Sequence, residues 1–222
     1  MRFNEYELAF SPARLSKYKA ECGGDKRKAM TLYRYNVKLC QKYYAVLNIF
    51  EIILRNAVDR HFRALYKDPN WIENQLQTGG MLAYSPQRAD ALKHINDLKK
   101  KGKFTPDKVV SAQSFGFWTY MFNKIPFNAG GKKLLDIFPN KQVGLGQKAV
   151  YNELQDIKQF RNRIAHHEPI CFDAFGNKNM TYVMKNYQQI LKYLSFLGYS
   201  EKQLLYGYDI QTKELINKVM NL

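Results

Sequence analysis

The sequence predicts an all-α protein, and three observations carry that expectation. Ser or Thr precedes Pro where helices can begin, apolar residues recur at helical spacing, and sustained two-residue alternation is missing. The pattern fits a bundle of long antiparallel helices with shorter additions. At 222 residues and 45% hydrophobic content the chain can bury one sizeable core, so a single domain over 1–222 is expected.

Ser11-Pro12 opens the first expected helix and Gly23-Gly24 closes it. Asp25 then caps a long helical region reaching about Tyr66, with a possible break near Gln41 and a stop before Asp68-Pro69. Between Tyr43 and Leu54 only Asn48 and Glu51 are strongly polar, so this stretch should be buried nearly all round. Asn48, Glu51, Arg55 and Asp59 form one stripe, with Glu51 and Arg55 a favourable i, i+4 pair. The stripe is either an internal ionic ladder that fixes helix register or a support that holds the side chains of a site on another helix. Glu51 and Arg55 are expected to support rather than to perform chemistry.

Ser85-Pro86 marks another start, on a lysine-rich helix where His94 should lie at the surface. Thr105-Pro106 begins a helix expected to run to about Lys124, carrying Phe115, Phe117, Trp118, Tyr120 and Phe122 as core residues. Glycines at Gly130-Gly131 and from Gly144 to Gly146 precede a helix from about Gly146 to His167. After Phe175-Gly176-Asn177, a last long helix from about Thr181 should bury Met184, Tyr187, Leu191, Leu194 and Leu197 and stop at Gly198.

Composition narrows the partners. Thirty-five Lys plus Arg against nineteen Asp plus Glu leave a net charge of +16. Such an excess favours a polyanion, through counterion release and electrostatic steering. Basic residues gather at Lys17 to Lys28, at Lys99 to Lys103 and at Lys132-Lys133. Lys99, Lys100, Lys101 and Lys103 are the expected RNA-binding cluster; solvated lysines that aid solubility are the plainer alternative. Cys22, Cys40 and Cys171 are odd in number and widely spaced, against a disulfide framework or a zinc site. The N-terminal residues lack a signal-peptide core and no stretch is long enough for a membrane span, so a cytoplasmic protein with no membrane partner is expected. Phosphate-loop, zinc-protease and serine-elbow motifs are missing, which leaves no cofactor and no metal to expect.

The string Arg161-Asn162-Arg163-Ile164-Ala165-His166-His167 is where the sequence reads as chemistry. Val150, Leu154, Ile157 and Ile164 form an apolar stripe, and Arg161 stands where that stripe should be hydrophobic. A guanidinium so placed needs an internal carboxylate or an anion from outside, phosphate being the natural one. Pro169 disfavours helical angles at Glu168, so the helix should end within the histidine pair. On an unbroken helix Arg161 and His166 would diverge by about 140°, and a broken last turn lets them converge. The plainer alternative is a structural arginine, with histidines that complement the helix dipole.

RNRIAHHEPI, with LNIFEIILRNAVDRHF at Leu47 to Phe62 and SFGFW at Ser114 to Trp118, resembles the Abi-like proteins, an abortive-infection family of the HEPN superfamily. Arg161, Asn162 and His166 match the superfamily's arginine-polar-histidine motif, and His167 also falls within its spacing. The resemblance implies a metal-independent endoribonuclease acting in phage defence or as a toxin. In that reading the substrate's 2′-hydroxyl is the nucleophile, His166 the general acid or base with His167 its substitute, Arg161 the phosphate ligand and Asn162 the orienting residue. It also implies a homodimer with a composite site. Arg55-Asn56 with His61 satisfies a looser version of the spacing, but no helix stop follows His61, and the match is read as chance or scaffold. Two other classes stay open: a module that holds a guide or regulatory RNA without cutting it, and a component of a toxin-antitoxin pair with an antitoxin partner. Members of the last class often carry tyrosine two residues after the motif histidine, where this chain has Glu168.

Overall fold

A computed structural model describes residues 3–207 and 212–222, and among these the fold is all-α. The helices are α1 Phe3–Phe10, α2 Pro12–Glu21, α3 Lys26–Tyr66, α4 Trp71–Gln75, α5 Arg88–Lys100 and α6 Pro106–Ala112. There follow α7 Phe115–Tyr120, α8 Lys124–Ala129, α9 Gln147–Ala165, α10 Thr181–Phe196, α11 Glu201–Leu204 and α12 Thr212–Met220. A 3₁₀ turn spans Leu134–Ile137, and an isolated antiparallel bridge joins Phe172 to Lys178. No described helix is long and apolar enough to cross a membrane.

Local chemistry explains most boundaries. The Ser11 hydroxyl accepts from the Arg14 amide and the Thr105 hydroxyl from the Lys108 amide, each with Pro in the first turn. Asp25 accepts from the amides of Arg27 and Lys28 and opens α3. The helix then runs to Tyr66 without the expected break near Gln41, because neither Gly nor Pro interrupts it.

Four expectations are corrected. The stretch from Tyr43 to Leu54 is not buried nearly all round, since Tyr44, Asn48 and Ile52 are exposed and only the face carrying Tyr43, Val46, Leu47, Phe50 and Leu54 is buried. The helix after Ser85-Pro86 begins at Arg88, since Ser85 and Pro86 form a turn whose Ser85 carbonyl accepts from the Arg88 amide. The segment expected as one helix from Pro106 to Lys124 is broken. Extended Gln113 ends α6, and Ser114 and Asn123 cap α7 and α8 by accepting from the amides of Phe117 and Ile125. On α10, Met184 is exposed, and the buried face carries Val183, Asn186, Ile190 and Leu194.

The chain divides into two compact units. The first comprises Met1–Asn48, Gln159–Leu191 and Ser200–Leu222. Its core holds Tyr43 edge-on to Phe160 and to Tyr187, with centroids at 5.5 and 5.6 Å, and Tyr18 edge-on to Phe172 at 5.0 Å. The second comprises Ile49–Lys158 and Lys192–Tyr199. There Phe62 stacks on Trp71 at 4.8 Å, and Phe115, Phe117, Trp118 and Phe122 are buried, the core role expected of them, whereas Tyr120 of the same run is only half-buried. Burial of each such ring contributes roughly 1.5–3 kcal/mol. Asp59 accepts from the Trp71 indole at 2.9 Å and pairs with Arg63 at 2.7 Å, so the stripe's last acid is structural.

Candidate active site

The motif lies in the first unit, where α9 ends. Helical geometry stops at Ala165, and His167 takes a left-handed conformation at φ 59°. The His167 amide donates to the Ile164 carbonyl at 3.0 Å and the Glu168 amide to the Arg163 carbonyl at 2.8 Å. These two bonds make a Schellman cap with His167 at the position usually given to glycine, at a backbone cost of about 1 kcal/mol. The expected stop inside the histidine pair is therefore present. It leaves both His166 and His167 exposed.

Arg163 holds the turn from behind. Its guanidinium donates to the Pro169 carbonyl, lies 3.6 Å from the Glu168 carboxylate and covers the Tyr182 ring at 5.1 Å. Arg161 and Asn162 are half-buried on the last two turns of α9, and Arg161 is engaged by a neighbouring group. Arg161 shares a helix face with Ile164 and Ala165, three and four residues on.

That face borders a cavity of about 580 Å³, which Ile164, Ala165 and His167 line from the α9 side. Arg14 of α2 stands at its mouth and donates through Nη2 to the His167 carbonyl. Asn36 and Cys40 of α3 line its inner wall. The Asn36 Oδ1 accepts from the amides of Ile170 and Cys171, at 2.9 and 3.3 Å, so a buried side chain of α3 anchors the strand of chain after the motif. Burial pushes the Cys40 thiol up to about 11, so it is uncharged near neutral pH. The sequence by itself gives no role to Arg14 or Asn36, and names Arg163 only as a member of the motif string. For the first two no local signal exists, because their partners lie 153 and 134 residues away.

The remaining candidates lie in the second unit. Arg55 donates through Nε to Asn56 Oδ1 at 3.3 Å and, with Asp59, Arg63 and Asp107, lines a cavity of about 350 Å³. Glu51 is half-buried and engaged. His61 projects about 240° around α3 from Arg55 and packs edge-on against Phe62, so the looser Arg55-Asn56-His61 spacing does not converge on one point. Lys99, Lys100, Lys101 and Lys103 surround the end of α5 and are exposed, but Lys99 is paired with Glu73 and lies over the Phe104 ring at 5.1 Å. His94 is half-buried with its Nδ1 enclosed, rather than at the surface. Among the described residues no group of three or more His, Cys, Asp or Glu side chains could hold a metal ion.

No curated protein and no solved structure matches the chain. The family model described as Abi-like protein matches residues 1–171, a span that takes in α1 through α9, the Schellman turn at His167 and the Asn36 anchor beyond it. With about three quarters of its length matched, the chain belongs to the Abi-like family.

Proposed function

We propose that this protein is a metal-independent endoribonuclease of the HEPN type, acting in abortive infection, the defence role that family membership suggests. The observation that carries the reading is the end of α9. Two exposed imidazoles follow the Arg161 turn directly, and the segment behind them is locked by Arg163, Arg14 and Asn36. The His166 amide still donates to the Asn162 carbonyl at 2.9 Å, so the reading asks the exposed imidazole side chain itself to turn toward substrate. A locked scaffold that presents solvent-accessible imidazoles just past an arginine suits phosphoryl transfer, in which positioning and charge stabilisation dominate.

In the proposed step the imidazole of His166 takes the proton of an RNA 2′-hydroxyl, whose oxygen forms a bond to the adjacent phosphorus. The bond from phosphorus to the 5′-oxygen breaks, and that oxygen receives a proton from a protonated imidazole or from water. Arg161 balances the charge on the phosphorane oxygens and Asn162 orients the imidazole or the phosphate. His167 serves as the second imidazole. The nucleophile belongs to the substrate, so the step requires no metal. A homodimer that brings two motifs together belongs to the same proposal, since the Arg55-Asn56-His61 segment does not form a second copy. The +16 net charge supports RNA as the substrate.

The test is a cleavage assay with purified protein on total RNA in EDTA, wild type beside His166→Ala and Arg161→Ala. Cleavage lost in both variants supports the reading. Tight RNA binding without turnover in the wild type would replace it with a non-catalytic RNA-binding module.

A further inference from the structure

We infer that the cavity beside His167 binds one unstacked nucleotide, with its base between tyrosines and its phosphate at the mouth. This deepens the ribonuclease reading and rests on it for the source of that nucleotide, a single-stranded RNA. The cavity's size, about 580 Å³, lies within the roughly 300–1,000 Å³ usual for small-ligand sites. Tyr18, Tyr33 and Tyr44 supply three aromatic walls. Tyr18 is 2% exposed and lies edge-on to Tyr33 at 5.3 Å, which fixes both rings, while Tyr44 is 48% exposed and has a free face toward solvent. A tyrosine left so open at a cavity mouth suits a planar ligand, because base-on-aromatic stacking needs one accessible π-face.

Polar groups specify the ligand further. Asn36 is 4% exposed, and its oxygen is committed to the amides of Ile170 and Cys171. That commitment fixes the amide orientation, since a flipped side chain would set its NH₂ against two N–H donors. The NH₂ is thereby turned toward Cys40, whose sulfur at 3.8 Å is a weak acceptor. A buried amide donor with only a thiol for a partner suits a carbonyl oxygen or ring nitrogen of a base. At the mouth stand the Arg14 guanidinium and the exposed His167, and among the described residues no carboxylate lines the cavity. An aromatic, acceptor-bearing, anionic ligand meets all three features. The cavity shares its α9 wall with the face that carries Arg161, so a nucleotide held there would lie next to the phosphate to be cut.

Binding of a short single-stranded RNA, measured by fluorescence anisotropy in the His166→Ala background, tests the inference apart from turnover. Tyr44→Ala should weaken binding about tenfold, and Tyr44→Phe, which keeps the ring, should restore it. A blunt RNA duplex should bind both variants alike, because its bases are not available. Adenosine 5′-monophosphate is the second arm, and it should compete only at concentrations far above those of the oligomer. Equal oligomer affinity in wild type and Tyr44→Ala would overturn the site. Tight monophosphate binding that Tyr44→Ala abolishes, with oligomer binding untouched, would overturn RNA as the source. The two readings fail separately: cleavage without any Tyr44 effect removes the nucleotide site alone, and a Tyr44 effect without cleavage removes the ribonuclease alone.

Discussion

Arg14 and His167, 153 residues apart, are joined by a hydrogen bond from the arginine Nη2 to the histidine main-chain carbonyl. The carbonyl belongs to the one residue of the motif held in a left-handed conformation. A helix C-terminus carries partial negative charge, so a guanidinium there both satisfies an acceptor and complements the dipole. The geometry of the histidine pair thus draws on α2 as well as on α9.

Arg14→Ala should lower stability by about 1 kcal/mol, a modest loss because the bond is exposed, and Arg14→Lys should recover part of it. Chemical denaturation of the three proteins measures this. The cleavage rate should fall more than the stability, since the turn would keep its local hydrogen bonds but lose its tether. Unchanged stability and activity would mean that the contact carries no weight.

Cleavage should persist in EDTA and leave 2′,3′-cyclic phosphate and 5′-hydroxyl ends, with no cut at a 2′-deoxy position. His166→Ala and Arg161→Ala should each reduce the rate by at least ~10² while preserving the helical circular dichroism spectrum. End analysis that found 5′-phosphates would refute the substrate hydroxyl as nucleophile. Unfolding of Arg161→Ala would instead favour a buried structural arginine.

His167→Gly separates backbone from side chain. Glycine removes the left-handed cost, so stability should rise by up to about 1 kcal/mol while any contribution of the imidazole is lost. His167→Val should do the reverse to stability, since a β-branched residue resists positive φ. Thermal melts beside cleavage rates check both. A melting temperature that fell for His167→Gly would argue that the side chain stabilises the turn.

RNA affinity should fall steeply with salt, and replacing Lys100, Lys101 and Lys103 with Gln should flatten the slope of log affinity against log salt. Lys99→Gln should have a smaller effect, because its charge is already matched by Glu73. An unchanged slope in the triple variant would assign RNA to another surface.

Burial holds the His61 imidazole below its usual value near 6.5, against the opposing pull of Asp136. The unfolded chain therefore binds this proton more readily than the folded one. The resulting stability is complete above about pH 6.5 and declines as the pH falls through that value toward the folded pKa. Melting temperature should drop between pH 7.5 and 5.5, and less steeply in His61→Gln. Identical pH profiles would show that His61 takes no part.

The all-α class, the starts at Ser11-Pro12 and Thr105-Pro106, the aromatic core and the stop inside the histidine pair were legible in the sequence, because each depends on residues within about four positions. The caps at Ser114 and Asn123 are equally local, but a strong aromatic run hid them inside one longer helix. The buried face of α10 was misplaced by one residue at Met184, where the neighbouring Val183 and Ile190 compete for the same stripe. Tertiary structure alone decided which distant groups complete the candidate site. Arg14 reaches the His167 carbonyl, Asn36 pins Ile170 and Cys171, and three tyrosines from α2 and α3 enclose a cavity beside them. Periodicity reports which face of a helix is apolar, whereas the partner that a buried amide or an exposed guanidinium meets depends on how elements more than a hundred residues apart pack together.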